Sequence, residues 1–159
     1  MKFNLIDKIE HLDENRIVAC KAVSLAEEYL ADHFPKFPVL PGVMMLEALT
    51  QAAGWLMHHR TDFAKSVTVL KAARNIRYGT FVAPGNSLKV DVEFLKLTPG
   101  GASFKATSTV NDEPAISGRI EIAYFDLGDR TGLDRADERL KEHARARWDV
   151  LRTHSPILI

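Results

Sequence analysis

The chain has 159 residues, 46% of them hydrophobic and 26% charged, and its 21 basic and 21 acidic side chains cancel to zero net charge. This is the composition of one globular domain, or of a compact domain with a tail, and not of a disordered chain. Zero net charge excludes a general nucleic-acid binder, which needs a basic excess to neutralise phosphates, and the single cysteine, Cys20, excludes an internal disulfide and a multi-cysteine zinc site.

The opening MKFNLIDKIEHLDE meets charges too early to hold the apolar core of a signal peptide, so a cytoplasmic location is expected. Arg16 to Val23 has strand character. The longest apolar stretch then runs from Val43 to Met57, VMMLEALTQAAGWLM, after Pro41-Gly42 and before His58-His59-Arg60. It is short for a membrane span, which needs about 20 residues, and Glu47 and Gln51 interrupt it. Met, Leu, Ala, Glu and Gln favour helix, and apolar residues on nearly every face mark a helix enclosed by protein. The basic residues at its end suit the negative pole of the helix dipole.

Strand character follows at Ser66 to Val69, Asn75 to Val82, Leu88 to Leu97, Ala102 to Val110 and Ala115 to Phe125. LKVDVEFLKL alternates with period two, as a sheet with one covered face requires. Pro84-Gly85-Asn86, Pro99-Gly100-Gly101 and Asn111-Asp112-Glu113-Pro114 punctuate the strands as turns. Short connections imply antiparallel hairpins. The pattern predicts an α+β fold in which a curved antiparallel sheet wraps one buried helix. Residues 1–127 form that body. Residues 128–159 read as a charged helical extension, with Leu133, Leu140, Ala144, Trp148 and Leu151 near helical spacing and Asp137 to Lys141 as an i,i+4 pair.

Glu47 is the informative residue. An ionised carboxylate buried among apolar neighbours costs several kcal/mol, so it stays protonated or finds a partner. Gln51, one turn on, is within reach of it. A carboxyl that holds its proton near neutral pH can act as a general acid, although an acid near a helix N-terminus also simply complements the dipole. The loop before the helix, His33-Phe34-Pro35-Lys36-Phe37-Pro38-Val39-Leu40-Pro41-Gly42, places three prolines in seven residues. They stiffen the backbone and remove N–H groups. His33 is the natural base at neutral pH. The first amides of the helix after Pro41-Gly42 offer partial positive charge, and Gly42 allows close approach of a ligand. Base, acid and oxyanion donor together suit removal of a proton next to a thioester carbonyl with loss of a β-hydroxyl. His33 takes the α-proton or holds the water lost, and Glu47 protonates the hydroxyl.

The run His33-Phe34-Pro35-x-x-Pro38-x-x-Pro41-Gly42-Val43-x-x-x-Glu47-Ala48-x-x-Gln51 resembles the active-site segment of bacterial (3R)-hydroxyacyl-acyl carrier protein dehydratases of fatty-acid synthesis. The likeness continues through Val82-Ala83-Pro84-Gly85-Asn86-Ser87-Leu88 and covers about Arg16 to Phe125. It implies the hot-dog fold, and conversion of 3-hydroxyacyl to trans-2-enoyl thioesters on acyl carrier protein. The implied catalytic pair is His33 and Glu47, contributed by different subunits of a dimer that can assemble into a trimer of dimers. Gly42 would polarise the thioester carbonyl through its amide, with Phe34, Pro41, Val43 and Gln51 around the substrate. No metal or redox cofactor is implied, and neither nucleic acid nor membrane is an implied partner. Glutamate at position 47 resembles the branch that dehydrates without isomerising. Asp32 stands where the family usually has glycine, its N-terminal Pro-His-Arg segment has no counterpart in Ile9 to Ala22, and nothing matches the segment after Gly128.

Other residues read more plainly. Cys20, Met44, Met45 and Met57 suit a core, the methionines also an adaptable acyl tunnel. Trp55 and Phe37 suit a core or an acyl channel. Lys36, Lys71, Arg74 and Arg77 form a solvated face or a basic rim for an acidic carrier and its phosphopantetheine phosphate. His58 and His59 close the helix electrostatically, and His11, His143 and His154 are surface residues. The rival activities are a hot-dog thioesterase in which Glu47 activates water, and a non-catalytic acyl-binding paralogue.

Overall fold

A computed structural model describes residues 3–132 and 134–153, so Leu133 and His154 lie outside the described residues. Six strands form one antiparallel sheet in the order β1-β2-β4-β5-β6-β3. They are β1 (Lys8–Leu12), β2 (Arg16–Ala22), β3 (Val67–Tyr78), β4 (Ser87–Thr98), β5 (Gly101–Val110) and β6 (Glu113–Phe125). Helix α1 (Gly42–Thr61) packs on the sheet, and the short α2 (Gly128–Thr131) and the long α3 (Asp134–Thr153) follow β6. The predicted hot-dog architecture, a curved antiparallel sheet around a central helix with a further helix at the end, is what the chain adopts. Among the described residues no helix is long and apolar enough to cross a membrane.

The alternation in β4 does what period two requires. Leu88, Val90 and Val92 are fully buried, while Lys89 between them is exposed and Asp91 is half-buried; a register shift between Phe94 and Lys96 then ends the pattern. Against them α1 lays Ala48, Leu49, Ala52 and Leu56, all fully buried. The small residues in that set let helix and sheet approach closely. At Gly54 a Cβ would sit 2.7 Å from the Thr68 hydroxyl oxygen.

Three expectations change. The two expected segments Ser66–Val69 and Asn75–Val82 merge into one strand, β3, which runs from Val67 to Tyr78 through two register shifts against β6 with Asn75 at φ 54, so the second segment ends four residues early. The polar residues Lys71, Arg74 and Asn75 broke the pattern because β3 is a sheet edge, where outward positions stay polar without ending the strand. A further strand, β1, pairs with β2 through a bulge between Ile9 and His11, which erases the period its residues would show. Finally, Asp137 does not reserve itself for Lys141. Its carboxylate is buried and accepts hydrogen bonds from the Ser66 hydroxyl and, at 2.7 Å each, from the amides of Leu127 and Gly128. Burial opposes ionisation of Asp137, yet these donors outweigh it and hold the carboxyl below its ordinary range. Lys141 pairs with Asp126 at 3.2 Å instead.

Helix α3 docks on the body through the buried residues Trp148 and Leu151. The Trp148 ring lies 5.8 Å from Trp55 and 6.0 Å from Phe63. Arg145 donates to the Asp62 carboxylate and to the Asp62 carbonyl, 2.9 Å each. Asp62 is the left-handed residue that ends α1, so a guanidinium sits where the helix dipole is negative. His58 is the histidine read wrongly from sequence. It is buried, stacks on Phe63 at 4.9 Å, and burial, with Arg145 nearby, lowers its pKa to about 4. A neutral imidazole there is a core ring and not a charge at the helix end. Cys20 is partly buried on β2.

Candidate active site

The loop from His33 to Gly42 is held as its prolines suggested. Val39 donates its amide to the His33 carbonyl at 2.9 Å, Phe34 and Phe37 exchange amide-to-carbonyl bonds at 3.1 and 2.9 Å, and Leu40 donates to the Val82 carbonyl at 2.8 Å. The last bond ties the loop to the segment before β4. The His33–Phe34 peptide is cis, and the two rings stack 4.2 Å apart.

One contact fixes what His33 can do. Its Nδ1 lies 3.0 Å from the Val39 carbonyl oxygen. A carbonyl only accepts, so Nδ1 carries a proton, and in the neutral ring the lone pair is then on Nε2. The residue is half-buried, and its ring stacks on Phe34.

Pro41 caps α1, and its carbonyl accepts from the amides of Met44 and Met45 at 2.9 and 3.1 Å. Gly42 and Val43 open the helix, and amides in a first turn have no acceptor within the helix. A Cβ on Gly42 would fall 2.8 Å from the Tyr78 ring, so glycine is what lets this ring lie over the helix start.

Glu47 is half-buried, not enclosed as its apolar neighbours in sequence suggested. The reason is visible along the helix. Val43, Glu47, Gln51 and Trp55 recur every fourth residue and form one row, none of them fully covered. Glu47 does have the expected partner, since Gln51 Nε2 donates to its Oε1 at 2.9 Å. Gln51 is fixed in turn by the N-terminal segment: its Oε1 accepts from the Leu5 amide at 2.9 Å and its Nε2 also donates to the Phe3 carbonyl at 3.0 Å. The amide group is therefore oriented by the backbone, and only its N–H side can face Glu47. The sequence carried no sign of Phe3 and Leu5 in this role, because both act through backbone atoms.

The structure thus gathers Glu47 with Gln51, His33 with Phe34 and Val39, and Gly42 with Tyr78. Among the described residues no hydrogen bond or ion pair joins His33 to Glu47 within the chain. Phe34, Phe37, Phe81, Tyr78 and Val43, all exposed, surround this end of the molecule, and Val43 is 71% exposed. Among the described residues no cluster of His, Cys, Asp and Glu could hold a metal ion.

Comparison with known proteins places the chain among similar sequences. Residues 1–118 match the family model described as FabA-like domain. The 3-hydroxyacyl-[acyl-carrier-protein] dehydratase FabZ of Clostridium perfringens is 36% identical over 121 residues, 76% of this chain and 87% of that protein. The same enzyme of Lactococcus lactis is 34% identical, covering 76% of this chain and 84% of that protein. Among solved structures, the dehydratase heterocomplex ApeI:P from Xenorhabdus doucetiae aligns with a TM-score of 0.63 at 19% identity, covering 76% of this chain and 82% of that one, which is a likeness of fold.

Proposed function

The chain belongs to the FabA-like family, and from that premise we propose that it dehydrates (3R)-3-hydroxyacyl thioesters on acyl carrier protein to trans-2-enoyl thioesters in the synthesis of fatty acids or related chains. The observation that carries the reading is the Nδ1 contact of His33 with the Val39 carbonyl, which leaves Nε2 as a base of fixed direction.

Within this reading, residues 1–127 are the catalytic body. The thioester carbonyl accepts from the Gly42 amide at the positive end of α1, so charge that develops on its oxygen is stabilised. Nε2 of His33 takes the α-proton, and the electrons of the broken C–H bond form the double bond to the β-carbon. The C–O bond breaks as the Glu47 carboxyl delivers a proton to the departing hydroxyl, which leaves as water. The imidazolium then returns its proton to the carboxylate. No electrons leave the substrate, so the reaction calls for no redox cofactor. Phe34, Pro41, Val43 and Gln51 shape the space around the reacting carbons.

The base and acid come from different subunits of a homodimer. Supporting this are the apolar residues that one chain leaves open: Val43 and Tyr78 beside the helix start, and Val69 and Leu70 further along the edge strand β3. An edge strand left unpaired on one side is a template for a second copy, and a two-fold axis makes one surface serve both chains. Lys36, Arg74 and Arg77, exposed on the loop and on β3, offer positive charge to the carrier's phosphopantetheine phosphate.

The test is incubation with a crotonyl thioester in the hydration direction. Loss of enoyl absorbance without release of free thiol is expected. Thiol release would make the protein a thioesterase, and no change in either signal would leave an acyl-binding protein without catalysis.

A further inference from the structure

The face of the sheet turned away from α1 carries a feature that the proposed reaction does not use. Along β5 and β6 the buried Ala102, Phe104, Ile120 and Ile122 point to the helix, so Ser103, Lys105, Arg119 and Glu121 point to the other side. The register then sets cations in line across three strands. Lys105 on β5 is opposite Arg119 on β6, and Arg119 is opposite Arg74 on β3. Like charges directly opposite each other destabilise a sheet. Lys105 is offset by Glu93 at 3.5 Å, but among the described residues neither Arg74 nor Arg119 makes a hydrogen bond or an ion pair.

The next line of the sheet, Lys96, Ser103, Glu121 and Ala72, makes room for a ligand. Both of its ends adjoin a bulge, between Leu70 and Ala72 on β3 and between Phe94 and Lys96 on β4. Bulges on both flanking strands bend the sheet at this level. The small side chains of Ala72 and Ser103 leave a floor between the longer Arg74, Lys96 and Arg119, and the result is a hollow of about 290 Å³ with Leu95 on its margin. Glu121 also lines it, yet its carboxylate is already taken by Lys71 at 2.7 Å. The Thr98 hydroxyl is buried at the same hollow and makes no hydrogen bond of sound geometry, although it lies near enough to Glu121 to join Lys71 in holding that carboxylate below its ordinary range.

A chain of zero net charge thus gathers three cations in one hollow, and among the described residues no carboxylate pairs with them. Guanidinium groups match the oxygens of a phosphate as paired donors, and the Ser103 and Thr98 hydroxyls are further donors beside them. A phosphate monoester brings three acceptor oxygens and about two negative charges, more of each than a carboxylate.

We infer that this hollow on the outer face of the sheet binds a phosphate group, held by Arg119, Arg74 and Lys96. The anion relieves the repulsion that the register builds between the two arginines. Arg74 also belongs to the basic rim proposed for the carrier, so Arg119 and Lys96, which that rim does not include, are the residues that test the site. Its occupation does not depend on the dehydratase reading.

The probe is glycerol 3-phosphate, added to the intact protein at constant ionic strength in chloride and followed by calorimetric titration and by the thermal midpoint. Saturable binding and a rising midpoint are expected, because a ligand of the folded chain stabilises it. Arg119→Gln and Lys96→Gln are each expected to weaken binding about tenfold or more. Arg119→Gln carries a second and opposite signature. Without the anion its midpoint should lie above that of the parent, since one of the opposed cations is gone. Glycerol 3-phosphate that binds more tightly than inorganic phosphate makes the source a monoester, and equal binding makes it free phosphate; either supports the site. No saturable binding at millimolar concentration would overturn it. Weakening by Arg77→Gln as large as that by Arg119→Gln would also overturn it, by placing the anion on the rim beside the helix start. A midpoint of Arg119→Gln below the parent's without phosphate would remove the repulsion on which the assignment stands.

Discussion

Two rows of α1 share one helix and face opposite fates. Ala48, Leu49, Ala52 and Leu56 are sealed against the sheet, whereas Val43, Glu47, Gln51 and Trp55 are covered piecemeal by segments from elsewhere in the chain. Gln51 is met by the backbone of Phe3 and Leu5 and Trp55 by Trp148, whereas Val43 is left 71% exposed. Both rows contain large apolar residues, so composition does not separate them. What separates them is who supplies the cover. The sealed row holds the fold together, and the other row carries Glu47 and stays partly open.

If that division is right, the largest effect on activity belongs to the open row and should leave the fold standing. Glu47→Gln keeps the shape and the bond to Gln51 but cannot donate a proton to a leaving hydroxyl. Turnover of a 3-hydroxyacyl thioester is expected to drop about 10²–10⁴-fold, with the thermal midpoint little changed. Unfolding of this variant would make Glu47 a structural acid. Leu49→Ala, two residues on and on the sealed face, is the mirror experiment. It leaves a cavity against the sheet and is expected to cost about 2–5 kcal/mol in urea unfolding, with kcat preserved in whatever remains folded. Equal losses of activity and stability in both variants would erase the distinction.

The sequence made much of this legible. β4 alternates from Leu88 to Val92 because one face is covered and the other wet, and the turns around Gly85, Gly100 and Asn111 sit where positive φ values are needed. The loop and helix motif also singled out His33, Gly42 and Glu47, the residues on which the proposed reaction rests. Illegible were the contacts that no local period records. β1 is short and bulged, and β3 is a polar edge interrupted at Asn75. The clamp on Gln51 uses main-chain atoms of Phe3 and Leu5, which any side chains could provide. The openness of Glu47 was hidden for a similar reason, since Val43 and Trp55 look buried by type and are partly open only because their cover comes from distant segments.

His58 sharpens the comparison from the sealed side. It reads as a helix-closing charge but lies in the core against Phe63 and Tyr124, with Arg145 of α3 nearby. Burial depresses its pKa from 6.5 to about 4 in the folded chain, so the unfolded chain binds the proton more readily. Stability is therefore complete above about pH 6.5 and declines as pH falls toward 4, by about 3 kcal/mol in all. His58→Phe should flatten that segment of the stability curve. It should leave the steeper loss at lower pH, where Asp126 and Asp137, both held below the ordinary carboxylate range, take up protons. A curve still sloping between pH 6.5 and 4 in the variant would place the titration elsewhere.

Val43→Asp is expected to disturb the single chain least and the assembly most. A side chain 71% exposed has little to lose on replacement, and the N-terminal turn of α1 tolerates an acid, so the stability of the monomer should stay within about 0.5 kcal/mol. If a second copy covers this turn, however, two carboxylates are brought under its apolar surface, and desolvation opposes association. Sedimentation at micromolar concentration should then show a dimer for the parent and a shift to monomer for the variant. Activity should fall with the dimer and return in part at high protein concentration, because a site built from two chains forms only as often as they meet. A variant that stays dimeric with full activity would mean that the open end of α1 faces solvent in the assembled protein, and that His33 and Glu47 must meet within one chain.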